Sequence, residues 1–217
     1  MKLPNFDFEE EIWGEGFDYV IGLDEVGRGS FAGPVVAAAV IFRKGSKFKR
    51  GLLSQINDSK LLKANKRRLL SEGIKKRVLA YSIAKIEVTD INKKGIGKST
   101  QKAARKAIKN LIAEYELDPK LLFLLVDGFP IRYIRSMGLK RQKAIIKGDQ
   151  KSTTIAAASI LAKVYRDKIM KKLNRKYPGY GLSRNKGYGT KFHQTALQKY
   201  GLSDIHRTSF NLSKFLQ

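Results

Sequence analysis

The sequence predicts an α/β fold, a mixed central sheet with helices packed on it. Short apolar runs at 18–24, 34–42 and 120–126 read as buried strands. Longer stretches at 64–80, 99–116 and 152–174 place apolar residues at helical spacing. The two kinds of segment intermix along the chain, which argues for strands and helices in one layered domain.

Taken in order, "DYVIGLD" and "PVVAAAVIF" are consecutive strands joined by a glycine-rich turn. "ANKRRLLSEGIKKRVLA" is a basic amphipathic helix, and "YSIAKIEV", with its polar and apolar alternation, is a third strand. "STQKAARKAIKNLIAEYE" is a helix whose stripe is Ala104, Ala107, Ile108, Leu111, Ile112 and Tyr115. "KLLFLLVDGFP" is an apolar strand stopped by Asp127, Gly128 and Pro130. A short strand, "KAIIKGD", leads into the helix "STTIAAASILAKVYRDKIMKKLN", whose small residues permit close packing on the sheet. From about residue 177 the chain turns rich in Gly and Tyr and ends with a short helix, "KFHQTALQKYG". The expected division is therefore a main domain over 1–176 and a small helical C-terminal extension over 177–217, laid against it.

With 44 Lys and Arg against 19 Asp and Glu, the formal charge is +25. A surface of that sign concentrates polyanions, and nucleic acid is the expected partner. An acidic membrane would need an amphipathic or lipidated anchor, and the sequence offers neither. Its apolar runs are too short to cross a bilayer, and "MKLPNFDFEEEIW" has no apolar signal core. There is no cysteine, which excludes disulfides and thiolate metal sites and fits a reducing cytoplasm. Nothing points to an obligate oligomer, so a cytoplasmic monomer is expected.

In so basic a chain the acids are informative by position. "VIGLDEVG", "FLLVDG" and "IIKGD" each set an acid beside glycine at the C-terminal end of an apolar run. Ligands usually sit at that edge of an α/β sheet, so Asp24, Glu25, Asp127 and Asp149 are expected to converge there. Crowded carboxylates repel one another unless a cation sits among them. Oxygen ligands without cysteine favour Mg²⁺ or Mn²⁺ over zinc. Two such ions about 4 Å apart can activate water and stabilise a leaving oxygen in phosphodiester cleavage. Neighbours in a strand face opposite ways, so Asp24 and Glu25 share a site only if the strand ends or bends, which Gly27 and Gly29 would allow. Taken singly, each acid could instead be a cap or turn former, as Asp58 and Asp118 are expected to be.

"DEVGRGSFAGP", "NDSKLL", "LLVDGFP", "KGDQKSTTIAAASILAKVYRD" and "NKGYGTKFHQTALQKYG" followed by "HRTSF" occur in the order seen in ribonuclease HII, the type 2 ribonuclease H, which this chain resembles over roughly residues 8–213. The resemblance implies a ribonuclease H-like fold and metal-dependent hydrolysis of the RNA strand in RNA/DNA hybrids. It also implies nicking 5′ of ribonucleotides embedded in duplex DNA, leaving a 3′-hydroxyl and a 5′-phosphate. By motif position it makes Asp24, Glu25, Asp127 and Asp149 the catalytic metal ligands. Gly27, Arg28 and Gly29 become the loop that reads the 2′-hydroxyl through its backbone, which glycines let approach a ribose closely. Tyr188 becomes the ring that packs on the sugar at the RNA–DNA junction. Lys60, beside Ser59, falls in a motif near substrate phosphates, and Ser152 is a candidate both to cap its helix and to touch substrate. Without the resemblance, Tyr188 reads as a packed surface tyrosine and Arg28 as a solvated charge or ordinary phosphate contact. Asp167 reads as structural, and His193 and His206 as isolated.

Two rival readings follow from the same residues. "NKKGIGKST" approaches a phosphate-binding loop between a strand and a helix, but Asn92 stands where that motif needs glycine. A non-catalytic basic nucleic-acid-binding module would share the charge and lack the cleavage.

Overall fold

The computed structural model describes residues 3–135 and 137–216; Met1, Lys2, Ser136 and Gln217 lie outside the described residues. Its five strands are β1 (Tyr19–Val26), β2 (Val35–Ile41), β3 (Ala80–Ile86), β4 (Leu122–Asp127) and β5 (Gln142–Ile145). They form one sheet in the order β3-β2-β1-β4-β5. β1, β2 and β3 are antiparallel neighbours, while β4 lies parallel to β1 and β5 parallel to β4. The sheet is therefore mixed, as the sequence predicts.

Alternation along the strands feeds two cores. Val36, Ala38 and Val40 of β2 and Phe123 and Leu125 of β4 face α5 (Thr153–Lys176) and α2 (Ala64–Arg77). Val35, Ala37, Ala39, Leu122, Leu124 and Val126 face α4 (Ile96–Glu114). The alanines of β2 let helices approach both faces, and Gly22 lets α5 come closest: a Cβ there would lie 2.2 Å from the Thr154 carbonyl carbon. The N-terminus of α5 is thereby pressed against the centre of β1.

The sequence reading did not include α1 (Asp7–Gly14) or α3 (Val88–Lys94). Acids in the first turn favour α1 electrostatically, and its Ile12 and Trp13 enter the core beside Phe6, Phe42 and Phe48. From α1 the carboxylate of Glu9 is fully buried at the start of α5. It accepts hydrogen bonds from the Ser152 hydroxyl (2.7 Å), the Thr154 hydroxyl (2.6 Å) and the Thr154 amide (2.9 Å). Burial raises its pKa, although these donors work against the rise. α3 intervenes between β3 and the false phosphate loop, and Gly97, Lys98 and Ser99 lie inside the first turns of α4. No strand runs straight into that segment, so a nucleotide cradle is absent there.

Residues 177–216 include the four-residue α6 (Leu182–Asn185) and α7 (Lys191–Tyr200). Tyr180, Leu182, Leu197 and Ile205 pack with Met170 of α5 and with Ala32, on the β1–β2 connection. The extension is thus bolted beneath the loop that carries Gly27, Arg28 and Gly29.

Candidate active site

Strand register builds the site. Leu23 pairs with Val126, which sets Asp24 beside Asp127 one residue further along two parallel strands and on the same face. After β5 the chain turns through Lys147, in left-handed conformation, into a short 3₁₀ turn that returns Asp149 over the end of β4. The Gly148 amide donates to Asp127 Oδ1 at 2.7 Å and fixes that return. One carboxylate oxygen from each of Asp24, Asp127 and Asp149 then lies within 4.8 Å of the others.

Glu25 arrives differently. β1 pairs with β2 without interruption from Ile21 to Val26, so the strand neither ends nor bends between Asp24 and Glu25, as sharing one face would require. Asp24 faces α5, and Glu25 points to the α4 side, where it borders a cleft together with Asp127. The Glu25 amide donates to Asp24 Oδ1 (2.7 Å), and Arg28 Nη1 lies 3.3 Å from Glu25 Oε1. Three of the four acids form the close cluster, with the fourth flanking it from the opposite face of the strand.

The charges are crowded. Burial, then the Glu25 and Asp127 carboxylates, push the Asp24 carboxyl well above its usual range. Burial raises Glu25 against the pull of Arg28. Asp149 is raised by burial and then by Asp58 and Asp127, with Lys60 opposing. Lys60 Nζ sits 3.5 Å from Asp149 Oδ2 while remaining largely exposed. Burial would lower the Lys60 pKa, but the Asp149, Asp58 and Asp24 carboxylates outweigh it and raise it. An all-oxygen cluster of mutually repelling acids suits a hard divalent cation, whose charge removes the repulsion.

Asp58 was expected only as a turn former. It does accept the Lys60 amide (2.8 Å), but it is also buried, takes Gln150 Nε2 at 3.2 Å and adds negative charge beside Asp149. Ser59 is buried too, and its hydroxyl meets that of Ser159 at 2.9 Å. Ser152 resolves to one of its two expected roles. Fully buried, it caps α5 by accepting the Ile155 amide (3.2 Å) and donates to Glu9, so its hydroxyl has no path to a surface ligand. Asp118 caps its turn, as expected, by accepting the Lys120 amide (2.8 Å). Asp167 is structural, bonded to Lys163 (2.8 Å) and lying 3.7 Å from Arg67.

The loop from Gly27 to Pro34 is held from below by two arginines that sequence reasoning passed over. Arg207 Nε and Nη2 donate to the Gly33 carbonyl (3.0 and 2.8 Å), and Nη1 donates to the Arg28 carbonyl (2.7 Å). Arg166 donates to the carbonyls of Pro34 (2.9 Å), Ala32 (3.1 Å) and Lys186 (2.8 Å). Both residues are fully buried, and neither makes an ion pair among the described residues. Burial lowers both pKa values, and with Arg166 adjacent Arg207 falls to about 9, still cationic at neutral pH. Their carbonyl bonds satisfy the guanidiniums, which would otherwise be costly to bury. Gly27 (φ +91°) is required at this point, because a Cβ would lie 2.2 Å from Arg166 Nε. At Gly29, by contrast, a Cβ would meet no protein atom within 4 Å, so the fold itself does not demand glycine there.

Tyr188 belongs to the same assembly. The Gly187 carbonyl accepts the amides of Phe31 (2.8 Å) and Ala32 (3.2 Å), and the Arg166 guanidinium lies 5.6 Å from the Tyr188 ring centre. The histidines, expected to be isolated, are paired across 3.2 Å through their Nε2 atoms. The Ser203 amide donates to His206 Nδ1 (2.9 Å), which places the His206 proton on Nε2, facing His193. His193 then carries its proton on Nδ1 and donates to the Tyr188 carbonyl at 3.0 Å. Burial, with His193 adjacent, drops His206 to about 4, and burial also lowers His193. The pair is therefore neutral and fixes the backbone of Tyr188.

Comparison with known proteins agrees with this geometry. The family profile described as Ribonuclease HII matches residues 21–213. The chain is 44% identical over 203 residues to the ribonuclease HII of Caldanaerobacter subterraneus, covering 94% of this chain and 78% of that protein. It is 43% identical to the enzyme of Caldicellulosiruptor bescii over 94% of this chain and 92% of that one. Among solved structures, ribonuclease H2 from Pyrococcus horikoshii superposes with a TM-score of 0.72 at 24% identity, covering 91% and 97% of the two chains. Bst-RNase HIII, solved in complex with Mn²⁺, gives 0.69 at 21% identity, covering 91% and 68%. The last two likenesses speak for the fold, and the first three, which span nearly the whole sequence, establish that the chain belongs to the ribonuclease HII family.

Proposed function

We propose that the chain is a metal-dependent endonuclease that hydrolyses the RNA strand of RNA/DNA hybrids and nicks 5′ of ribonucleotides embedded in duplex DNA, leaving a 3′-hydroxyl and a 5′-phosphate. One observation carries the reading: three carboxylates within 4.8 Å of one another at a strand edge of a chain charged +25. Asp24, Asp127 and Asp149, with Glu25 alongside, would hold two divalent ions, Mg²⁺ or Mn²⁺. When bound, these supply a water of lowered pKa and positive charge for the departing 3′ oxygen.

The remaining work falls to the protein. Gly27, Arg28 and Gly29 approach the ribose from a loop whose carbonyls are tied inward by Arg166 and Arg207, so the loop is shaped before substrate arrives. The open space at Gly29 is where a backbone can meet a 2′-hydroxyl without a side chain intervening. Tyr188, held by the histidine pair, packs on the sugar beyond the ribonucleotide, where a 2′-hydroxyl would crowd it. Lys60, largely exposed beside Asp149, contacts a substrate phosphate. The catalytic domain of 1–176 and the substrate-contacting extension of 177–217 act as one unit. Since one chain supplies every part of the site, a monomer suffices, and the cysteine-free sequence suits a reducing cytoplasm.

Asp127→Asn tests the assignment, because it removes a ligand charge and almost no volume. With Mn²⁺ and a labelled DNA duplex carrying one ribonucleotide, the variant should bind the duplex and fail to nick it. Nicking at the wild-type rate would overturn the role given to the cluster. A duplex bound but never nicked by the unaltered protein would favour a non-catalytic binding module.

A further inference from the structure

A cleft of about 650 Å³ opens from the carboxylate cluster on the α4 side, with Glu25 and Asp127 at one end. Its walls are the first turns of α4, including Gly97 and Lys98 of the false phosphate loop, and the segment 129–133 that follows β4. Two features set it apart from an ordinary surface groove. Phe129 and Tyr133 are 73% and 88% exposed, although both stand on a braced segment. Gln142 holds Ile131 through its amide and its carbonyl (both 2.9 Å), Gln101 accepts the Arg132 amide (3.0 Å), and Arg105 donates to the Arg132 carbonyl (3.0 Å). Tyr133 also keeps a left-handed backbone, φ +60°, which an L-residue adopts at a cost. The second feature is charge. Lys98 and Arg132 are exposed in the cleft and make no ion pair among the described residues. Exposed rings on a braced backbone, set among unpaired cations, can pack on sugars while the cations neutralise phosphates.

We propose that this cleft holds the sugar–phosphate chain of the substrate duplex as it leaves the cluster, with phosphates on Lys98 and Arg132 and sugar faces on Phe129 and Tyr133. The proposal rests on the nuclease reading and extends it from Arg28, which lines the near end of the cleft, to a surface beyond the 2′-hydroxyl loop and Tyr188. The lysine of the misleading "GIGKS" motif thereby contacts phosphate as one point charge on a groove wall.

The test is anisotropy binding of a fluorescent DNA duplex with one ribonucleotide, in EDTA, across a salt series. Each phosphate neutralised contributes about 0.9 to the slope of log affinity against log salt, so Lys98→Ala with Arg132→Ala should lower it by about 1.8. Lys49→Ala with Arg50→Ala, exposed cations on the connection leaving the opposite end of β2, corrects for loss of bulk charge and should change it far less. Phe129→Ala with Tyr133→Ala should weaken binding on the order of tenfold with the slope unchanged, since packing of a ring on a sugar buries apolar surface and is not ionic. All four groove side chains are exposed, so thermal unfolding should stay at the wild-type temperature. Equal slopes for the groove and control pairs, or wild-type affinity for the aromatic pair, would overturn the proposal. If the unaltered protein nicks the duplex in Mn²⁺ while either result holds, the groove fails and the nuclease reading stands. If the unaltered protein neither binds nor nicks, both fail.

Discussion

Asp24→Asn should stabilise the metal-free protein while destroying its response to metal. Asp24 has two carboxylate neighbours with oxygens within 4.8 Å. At that distance each repulsion is worth about 0.9 kcal/mol at the dielectric of water and about 3.5 kcal/mol at an effective value of 20. Taking the lower figure for both neighbours gives about 2 kcal/mol relieved, before any gain from no longer burying a charge. The asparagine oxygen can still accept the Glu25 amide, now at 2.7 Å from Asp24 Oδ1, and its NH₂ can donate to an adjacent carboxylate. For a chain of this length about 2 kcal/mol raises the melting temperature by roughly 4–8 °C. The assay is thermal unfolding at pH 8 in EDTA, repeated over a Mn²⁺ titration. In EDTA the variant should melt above the wild type. Metal at a hundredfold excess over its dissociation constant should then raise the wild type by about 2.7 kcal/mol and leave the variant nearly unmoved, reversing the order. A variant that melts below the wild type in EDTA would refute the claim that these charges are crowded when no cation is present.

Other perturbations separate the parts of the site. Gly27→Ala should cost about 2–4 kcal/mol in urea unfolding, through left-handed strain and the clash with Arg166, whereas Gly29→Ala should change stability by less than about 0.5 kcal/mol. Gly29→Ala should nonetheless weaken binding to a ribonucleotide-containing duplex more than to an all-DNA duplex; equal losses on both would contradict backbone reading of the 2′-hydroxyl. Arg207→Lys loses the fork on Gly33 and Arg28 and sets an ammonium, more easily neutralised by burial, in its place, so stability should fall by about 2–4 kcal/mol and KM should rise, and wild-type behaviour would show that the loop does not depend on it. His206 has a folded pKa of about 4 against 6.5, so the unfolded chain binds the extra proton between those values. Its contribution is full above pH 6.5 and is lost as pH falls towards 4, by about 3 kcal/mol at most. Unfolding free energies of wild type and His206→Asn at pH 7.5 and 4.5 should differ in that sense, and parallel pH dependence would refute it.

Much of the fold was legible because burial leaves a trace in sequence. β1, β2 and β4 are apolar runs, and the small face of "IAAASILA" announces a helix pressed on a sheet. α1 and α3 were not legible: eight and seven residues hold too few helical turns for a periodic signal, and the acids of α1 drew attention away from Ile12 and Trp13. In the site, Asp24, Asp127 and Asp149 stood out because acids are scarce and glycine flanks them. The uninterrupted pairing of β1 through Glu25 could not be read, since only the partner strand decides where a ladder stops. Arg166 and Arg207 were hidden by the opposite circumstance. Among 44 Lys and Arg, a buried guanidinium looks like any solvated cation, and its carbonyl partners lie more than 130 residues away for Pro34 and Ala32 and more than 170 for Gly33. His193 and His206, thirteen positions apart, meet only because α7 and the following turn fold back on Tyr180, whose ring packs against both. What the sequence concealed is therefore largely the support of the site, and what it displayed is largely the chemistry.

In the proposed function these carboxylates direct water-based cleavage beside a ribonucleotide. The most direct measurement is the structure of the ends produced from an end-labelled DNA duplex with one internal ribonucleotide, incubated with the protein and Mg²⁺ or Mn²⁺. A single nick 5′ of the ribonucleotide is expected, with a 3′-hydroxyl that a polymerase can extend and a 5′-phosphate on the other fragment. No nick with either metal, or a nick leaving a 2′,3′-cyclic phosphate, the mark of attack by the ribose hydroxyl in place of water, would contradict it.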